Sequence, residues 1–314
     1  MSSKAKTPFA QDVLAGLQRT PKKLPSKYFY DEQGDKLFQD IMQMPDYYLT
    51  YCEYEIFDTH RQAILEKIGD EPFDLIELGA GDGYKTKVLL RHFLFKNADF
   101  TYHPIDISEN VLVELEDDLE GNMPELEVHC MPGDYFQMLE QLSASSKRQK
   151  VILFIGGNIG NLTRERAAYF LRQLQQCMAP GDFLLIGMDL KKDPQTILNA
   201  YNDPTGITAA FNLNLLHRIN RELDANFNVD AFKHWETYNP ITGETKSYII
   251  STEKQRVAIL DHTIEFDAWE AIDVELSQKY SVREIEALAQ QTGFEVVEHF
   301  FDKRKYFVDT LWQK

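Results

Sequence analysis

The stretch Asp74-Leu-Ile-Glu-Leu-Gly-Ala-Gly-Asp-Gly-Tyr-Lys-Thr86 decides how this chain is read. Leu75, Ile76 and Leu78 form a short apolar run that ends in glycines, the pattern of a buried strand in a parallel sheet. Gly79, Gly81 and Gly83 let the backbone turn sharply and let a ligand approach it closely. Val88, Leu89, Leu90, Phe93 and Leu94 then predict a helix over 85–96. Strand, glycine turn and helix together make a nucleotide-sized cradle at the carboxyl end of a strand. A tight turn that binds nothing has the same spacing, so the neighbouring segments must decide between the two.

Downstream, strand and helix alternate. Asp99–Ser108 reads as a second strand, ending near Asp106. A carboxylate about twenty residues past the last glycine can accept hydrogen bonds from both ribose hydroxyls. It can equally cap the helix that begins at Ser108-Glu-Asn-Val. Leu126–Cys130 reads as a third strand, running to Gly133-Asp-Tyr-Phe136. There Asp134 can accept from an adenine amino group, and Tyr135 can offer its backbone amide. Val151–Ile155 is a fourth strand, followed by Gly156-Gly-Asn-Ile-Gly-Asn161 and a helix over 163–178. Gly181–Asp189 is a fifth strand. This alternation predicts an α/β fold built on a doubly wound sheet. The glycines run G-x-G-x-G rather than the dinucleotide G-x-G-x-x-G, and Asp106 and Asp134 follow. That set suits a ligand with ribose and adenine but no phosphate, of which S-adenosylmethionine is the commonest, with Lys85 able to meet its carboxylate.

The whole chain has 314 residues, 43% apolar and 26% charged, which predicts a globular protein with a large core. Its net charge of -17, from 50 acidic against 33 basic residues, disfavours nucleic acid and anionic membranes as partners. Cys52, Cys130 and Cys177 lack CxxC spacing, so neither a disulfide framework nor a zinc site is expected. The first twenty residues lack the apolar core of a secretory signal, and no run has the length of a membrane span. A cytoplasmic monomer acting on a small molecule is the expectation.

The flanking segments leave the alternating pattern. The first six residues are polar and expected to be loose, and Thr7-Pro8 starts a helix with Phe9, Val13, Leu14 and Leu17 on one face. Pro21–Pro25 breaks it; Leu37, Phe38, Ile41 and Met42 mark a second helix, and 53–68 a third. Tyr28, Tyr30, Tyr47 and Tyr48 crowd the region before the first strand; they can be buried rings or a lid over a polar molecule. After 191, helices over 193–200 and 209–220 lead to antiparallel strands at 232–238, 245–252 and 255–261, with a further strand at 263–269. A helix over 282–291 and a hairpin over 293–312 close the chain. The expected division is therefore 53–190 plus 278–314 as a cofactor domain, with 8–52 plus 191–277 as a second, α+β, substrate-binding lid domain.

Several motifs in combination resemble the histidine-specific, S-adenosylmethionine-dependent methyltransferase family. They are Tyr30-Asp31-x-x-Gly34-x-x-Leu37-Phe38, Pro45-Asp-Tyr-Tyr-x-Thr50-x-x-Glu53, Glu77-Leu-Gly79 with Lys85-Thr86, and Gly156-x-x-Ile-Gly-Asn161. Tyr201-x-Asp203-x-x-Gly206-x-Thr208-x-x-Phe211-Asn212 and Glu275-x-Ser277-x-Lys279-Tyr280 complete the set, which spans nearly the whole chain. The resemblance implies a Rossmann-like class I methyltransferase sheet and cofactor contacts at Gly79, Gly81, Lys85, Asp106, Asp134, Tyr135 and Gly156. It implies amino-acid contacts at Tyr47, Asn161 and Tyr201, with Glu275 and Ser277 on the imidazole. Tyr30 would lie near the amino group, so Tyr30, Tyr47 and Asn161 are the candidates closest to the chemistry. The implied reaction carries the α-amino group of free L-histidine toward the trimethylated betaine of ergothioneine biosynthesis. In-line displacement at a sulfonium methyl needs a neutral amine and alignment, and no metal.

Three positions, at two places in the chain, depart from the family pattern. Gly157 and Asn158 stand where hydroxyl residues are expected, and Ser247 falls where a methionine would flank the imidazole. A smaller, more polar wall there bears on which side chain fits and which nitrogen faces the methyl. The alternatives to α-amino methylation are another nitrogen of histidine, a related amine, or a sensor that binds S-adenosylmethionine without turnover.

Overall fold

The computed structural model describes residues 6–314. The loose polar opening expected over the first six residues falls, up to residue 5, outside the described residues. The chain divides into two compact units. One comprises Leu49–Lys191 with Gln278–Lys314; the other comprises the described residues up to Tyr48 with Lys192–Ser277.

The first unit is built on a seven-stranded sheet. Its order is Glu295–Phe301, Phe307–Gln313, Phe183–Asp189, Gln149–Phe154, Phe73–Leu78, Phe100–Asp106 and Met131–Pro132. The inner strands pair in parallel, Leu75 opposite both Tyr102 and Val151, and Leu153 opposite Leu185. Only the last hairpin is antiparallel, with Val308 opposite Met188 and Phe301 opposite Val308. Every residue of Phe73–Leu78 and of Phe183–Asp189 is buried, as strands covered on both faces must be. Ile76, Ile152 and Leu184 pack in one cluster with Leu171 and Leu174 of the helix Arg164–Cys177 and Ile285 of the helix Val282–Thr292. That last helix starts at a capping box, Ser281 with Glu284. A buried ion pair, Lys279 to Asp189 at 2.8 Å, joins its approach to the end of the strand Phe183–Asp189.

Two sequence expectations are corrected here. The third strand, expected over 126–130, is absent. The chain pairs there only through a bridge between Val128 and Tyr102, and the strand proper is Met131–Pro132. At the sheet edge the alternation of Leu126 and Val128 has no second neighbour to pair with. The helix expected from Glu53 begins at Tyr48, so Glu53 lies inside its second turn.

The second unit contains a four-stranded sheet, ordered Lys22–Lys23, Ala271–Gln278, Glu244–Ser251 and Phe232–Tyr238. Gln255–Ile259 and His262–Phe266 form a separate antiparallel pair. The breaker expected at 21–25 thus supplies a short strand, parallel to Ala271–Gln278, with Lys22 paired to Glu270 and Lys23 to Asp273. Thr245, Ser247, Ile249 and Ser251 are buried while their neighbours are not, the period of a half-covered strand. Phe9, Val13 and Leu17 of the helix Pro8–Gln18 join Phe211, Leu215 and Ile219 of the helix Ile207–Leu223 in its core, together with Ile249 and Ile272.

Gly187 lies in the middle of the strand Phe183–Asp189, where glycine normally weakens a strand. Its reason is crowding: a Cβ there would run into Glu53 Oε1 and stand 3.1 Å from both Asp309 Oδ1 and Phe307 Cε1. Gly187→Ala is expected to cost about 1–3 kcal/mol, as overpacking of a closed core does. Urea denaturation checks this; a midpoint equal to the parent's would show that Glu53 can step aside.

Candidate active site

The loop that follows Phe73–Leu78 is held from three sides. Gly79 and Gly81 have φ of +76° and +53°, values open to glycine and costly for other residues. An ideal Cβ on Gly79 would stand 2.8 Å from the Tyr135 hydroxyl and 3.9 Å from Asn158 Nδ2. One on Gly156 would stand 3.5 Å from both Asn158 Nδ2 and Lys85 Nζ. A Cβ on Gly81 would meet nothing within 4 Å. Gly79, Lys85, Tyr135, Gly156 and Asn158 therefore line one small space, and open room lies over Gly81.

Asp106 ends its strand beside this loop. Its Oδ1 accepts from Ser108 N at 3.0 Å and its Oδ2 from Gly81 N at 3.4 Å. The cap of the following helix is Ser108, whose Oγ accepts from Val111 N, so Asp106 is not consumed as the cap. Ile107 is 87% exposed next to it. Asp134 caps the helix Tyr135–Ser145 through Oδ1, which accepts from Phe136 N at 3.0 Å and Gln137 N at 3.3 Å. Burial, followed by the charges of Asp106 and Asp134, pushes the Tyr135 phenol up to about 12, so it stays neutral.

Lys85 is not a free cation. It ion-pairs with Glu53, which is fully buried and whose Oε1 also accepts from Gly156 N at 2.7 Å. One carboxylate thus ties the helix Tyr48–Ile68 to the loops after two parallel strands. Burial works against the Lys85 charge, but Glu53 outweighs it and holds the ammonium above its ordinary range. Asn161 is exposed at the end of the short turn Asn158–Asn161 in this same unit.

The remaining candidates stand in the other unit, and its contacts connect them. Tyr47 meets Tyr201 edge-on at 6.3 Å between ring centroids. The Tyr201 and Ser277 hydroxyls are 2.9 Å apart. Ser247 Oγ lies 2.8 Å from Glu275 Oε2 and 2.8 Å from Glu236 Oε2. Tyr30 packs on Phe211 at 5.7 Å and on Phe38 at 5.5 Å. Burial, then the negative charges of Glu275 and Asp35, push its phenol up, although 45% of the residue's surface faces outward. Burial also pushes His234 down, against Glu275 and Asp203.

Several motif residues turn out to support the candidates around them. Asp31 caps the helix Glu32–Gln43, accepting from Gly34 N and Asn214 Nδ2, each at 2.8 Å. Asp203 accepts from Ile207 N at 3.0 Å and Thr208 N at 2.8 Å. Burial raises Asp203, but the Thr205 hydroxyl and these amides outweigh it and bring its carboxyl down to about 2. It therefore fixes the turn that follows Tyr201. Asn158, Ile107 and Glu236 stand beside these candidates with no motif that marks them. In sequence the first is only a departure from the family pattern, the second an ordinary apolar residue until its exposure is seen, and the third one glutamate among many.

The seven-stranded sheet with its single antiparallel hairpin is that of the class I S-adenosylmethionine-dependent methyltransferases. A sequence profile of the histidine-specific, S-adenosylmethionine-dependent methyltransferases matches residues 9–314. The chain is 36% identical over 295 residues to the histidine N-alpha-methyltransferase of Mycobacterium tuberculosis, covering 93% of this chain and 91% of that protein. It is 36% identical over 285 residues to the enzyme of the same name from Mycolicibacterium smegmatis, covering 90% and 88%. It is 30% identical over 303 residues to ergothioneine biosynthesis protein 1 of Neurospora crassa, covering 93% of this chain and 33% of that protein. The chain belongs to the histidine-specific, S-adenosylmethionine-dependent methyltransferase family. Among the described residues no helix is long and apolar enough to cross a membrane.

Glu77 generates a pH prediction. It is fully buried, accepts from the Thr86 hydroxyl at 2.7 Å and from the Tyr102 hydroxyl, and burial outweighs these donors to raise it to about 7. A carboxyl raised above its unfolded value stabilises the fold below about pH 4.5, and that stability is lost as pH rises through about 7. The loss is on the order of 3 kcal/mol. Glu77→Gln is expected to flatten the thermal midpoint across this window relative to the parent. Parallel midpoint–pH curves for the two proteins would contradict it.

Proposed function

We propose that this protein transfers methyl groups from S-adenosylmethionine to the α-amino nitrogen of free L-histidine. The single observation that carries the reading is the polar floor of the second unit. Glu275 and Ser277 stand two residues apart in the extended strand Ala271–Gln278, hence on one side of it. The first is anchored by Ser247, and the second is within hydrogen-bond reach of Tyr201. An acceptor beside a hydroxyl matches an imidazole, with one N–H to give and one lone pair to satisfy. The α-amino choice draws support from the two mycobacterial relatives, whose names specify that nitrogen.

The cofactor residues fit the reading chemically. Asp106 would accept from the ribose hydroxyls, and Asp134 from the adenine amino group beside the Tyr135 amide. The exposed Ile107 offers an apolar flank next to them. Lys85 would meet the amino-acid carboxylate of the cofactor, and Gly79, Gly81 and Gly156 would permit close approach. When bound, S-adenosylmethionine supplies an electrophilic methyl group.

In the second unit, Tyr47 and Tyr201 would meet the backbone charges of the amino acid, and Glu275 and Ser277 its ring; Asn161, in the first unit, has the donor and acceptor to pair with an ammonium or a carboxylate. Tyr30 would lie near the amino nitrogen. Its raised phenol keeps it neutral, so it can accept a hydrogen bond from the amine, and it takes up a proton only by passing its own on to water in the same step. What these residues contribute is alignment of a neutral amine.

A site that pairs with a polar group rejects ligands that cannot satisfy it. Glu275→Ala is therefore expected to lower kcat/KM for histidine, relative to tryptophan and phenylalanine, by about tenfold or more, the cost of one lost hydrogen bond to a charged group. Parallel assays of the three amino acids check this. An unchanged ratio would mean that Glu275 does not read the side chain.

A further inference from the structure

Asp309 is fully buried in the first unit. It lies in the strand Phe307–Gln313 opposite Gly187, and its Oδ1 shares the space above that glycine with Glu53 Oε1. Neither Asp309 oxygen receives a hydrogen bond from any described donor. The charged groups facing it are Glu53, from the helix Tyr48–Ile68, and Lys85, from the glycine loop. Glu77, from the strand Phe73–Leu78, adds its charge at Lys85. Two carboxylates beside one ammonium, away from water, cannot both stay ionised at low cost. Glu53 already accepts from Gly156 N and Lys85, whereas Asp309 accepts from nothing, so the proton belongs on Asp309.

We propose that Asp309 is a neutral, protonated acid that donates its O–H to Glu53, and that it acts as a positioning residue for Lys85. Burial, reinforced by the Glu53 charge, supports this by pushing the Asp309 carboxyl well above the ordinary range. The consequence is electrostatic. With Asp309 neutral, Lys85 faces one balancing charge from Glu53 and can still attract a second carboxylate. With Asp309 ionised, the pocket would carry excess negative charge and repel an anionic group. The inference rests on the functional reading in one point, that Lys85 meets the carboxylate of the cofactor.

The test titrates S-adenosylhomocysteine into the parent, Asp309→Asn and Asp309→Leu by calorimetry, and adds infrared difference spectra at mildly alkaline pH. Asn can donate to Glu53 as the protonated acid does, so Asp309→Asn is expected to bind within about twofold of the parent. Leu cannot, and about tenfold weaker binding is expected from the lost donor to a charged acceptor. At that alkaline pH Glu77, raised only to about 7, is largely ionised, so the protonated-carboxyl band of the parent belongs to Asp309 and should be lost in Asp309→Asn. This spectrum needs only the conservative variant, so the idea stays testable if Asp309→Leu does not fold. The proposal is overturned if no band is lost, if Asp309→Asn binds as weakly as Asp309→Leu, or if Asp309→Leu binds like the parent. A parent that takes up no S-adenosylhomocysteine would instead overturn the cofactor reading. In a competent parent, Asp106→Ala serves as the positive control, since its loss of affinity arises at the ribose and does not involve Asp309.

Discussion

The first unit depends on the buried carboxylate of Glu53. It links the helix Tyr48–Ile68, the glycine loop through Lys85, and the loop after Gln149–Phe154 through the Gly156 amide. A charge so far from water is costly unless every lone pair finds a donor. The surroundings are shaped to supply them. Gly187 opens the space, Lys85 turns inward, and Gly156 takes a positive φ that aims its amide. The ends of the parallel strands are thereby fixed by an electrostatic bolt rather than by apolar packing, which has little to grip in a run of glycines.

The second unit solves a related problem with neutral groups. Asp31 and Asp203 spend their charges capping helices, which leaves the tyrosines and Ser277 to face one another through hydroxyls. Hydroxyls can reverse donor and acceptor roles, so such a surface can meet either an ammonium or a carboxylate. Glu275 and Glu236, both beside the Ser247 hydroxyl, are the exceptions. The shared hydroxyl holds the two carboxylates together but has one proton to give, so it pairs fully with only one of them.

Much of this was legible in the chain. Parallel strands buried on both faces read as continuous apolar runs, and for that reason 74–78, 151–155 and 181–189 were found. The strand at 126–130 misled because alternation alone does not reveal whether a partner exists on each side. Lys22–Lys23 was invisible as a strand because its partner, Ala271–Gln278, lies far along the chain and its side chains are held by ion pairs, not by burial of apolar surface. Among the candidate residues, types and approximate places could be named from motifs. What could not be read was which of them answer one another. The contacts of Lys85 with Glu53, of Ser247 with Glu236, and of Asp309 with Gly187 join segments that share no local pattern.

The central claim is that the polar floor around Glu275 and Ser277 holds a histidine ring while its α-nitrogen takes the methyl. The most direct measurement is mass spectrometry of the product formed from histidine and S-adenosylmethionine, with fragmentation to locate the added methyl groups. The account predicts that every added methyl is on the α-nitrogen and that the imidazole fragment keeps the mass of unmodified histidine. An imidazole fragment carrying the methyl would contradict it, and would place the ring, not the amine, toward the cofactor.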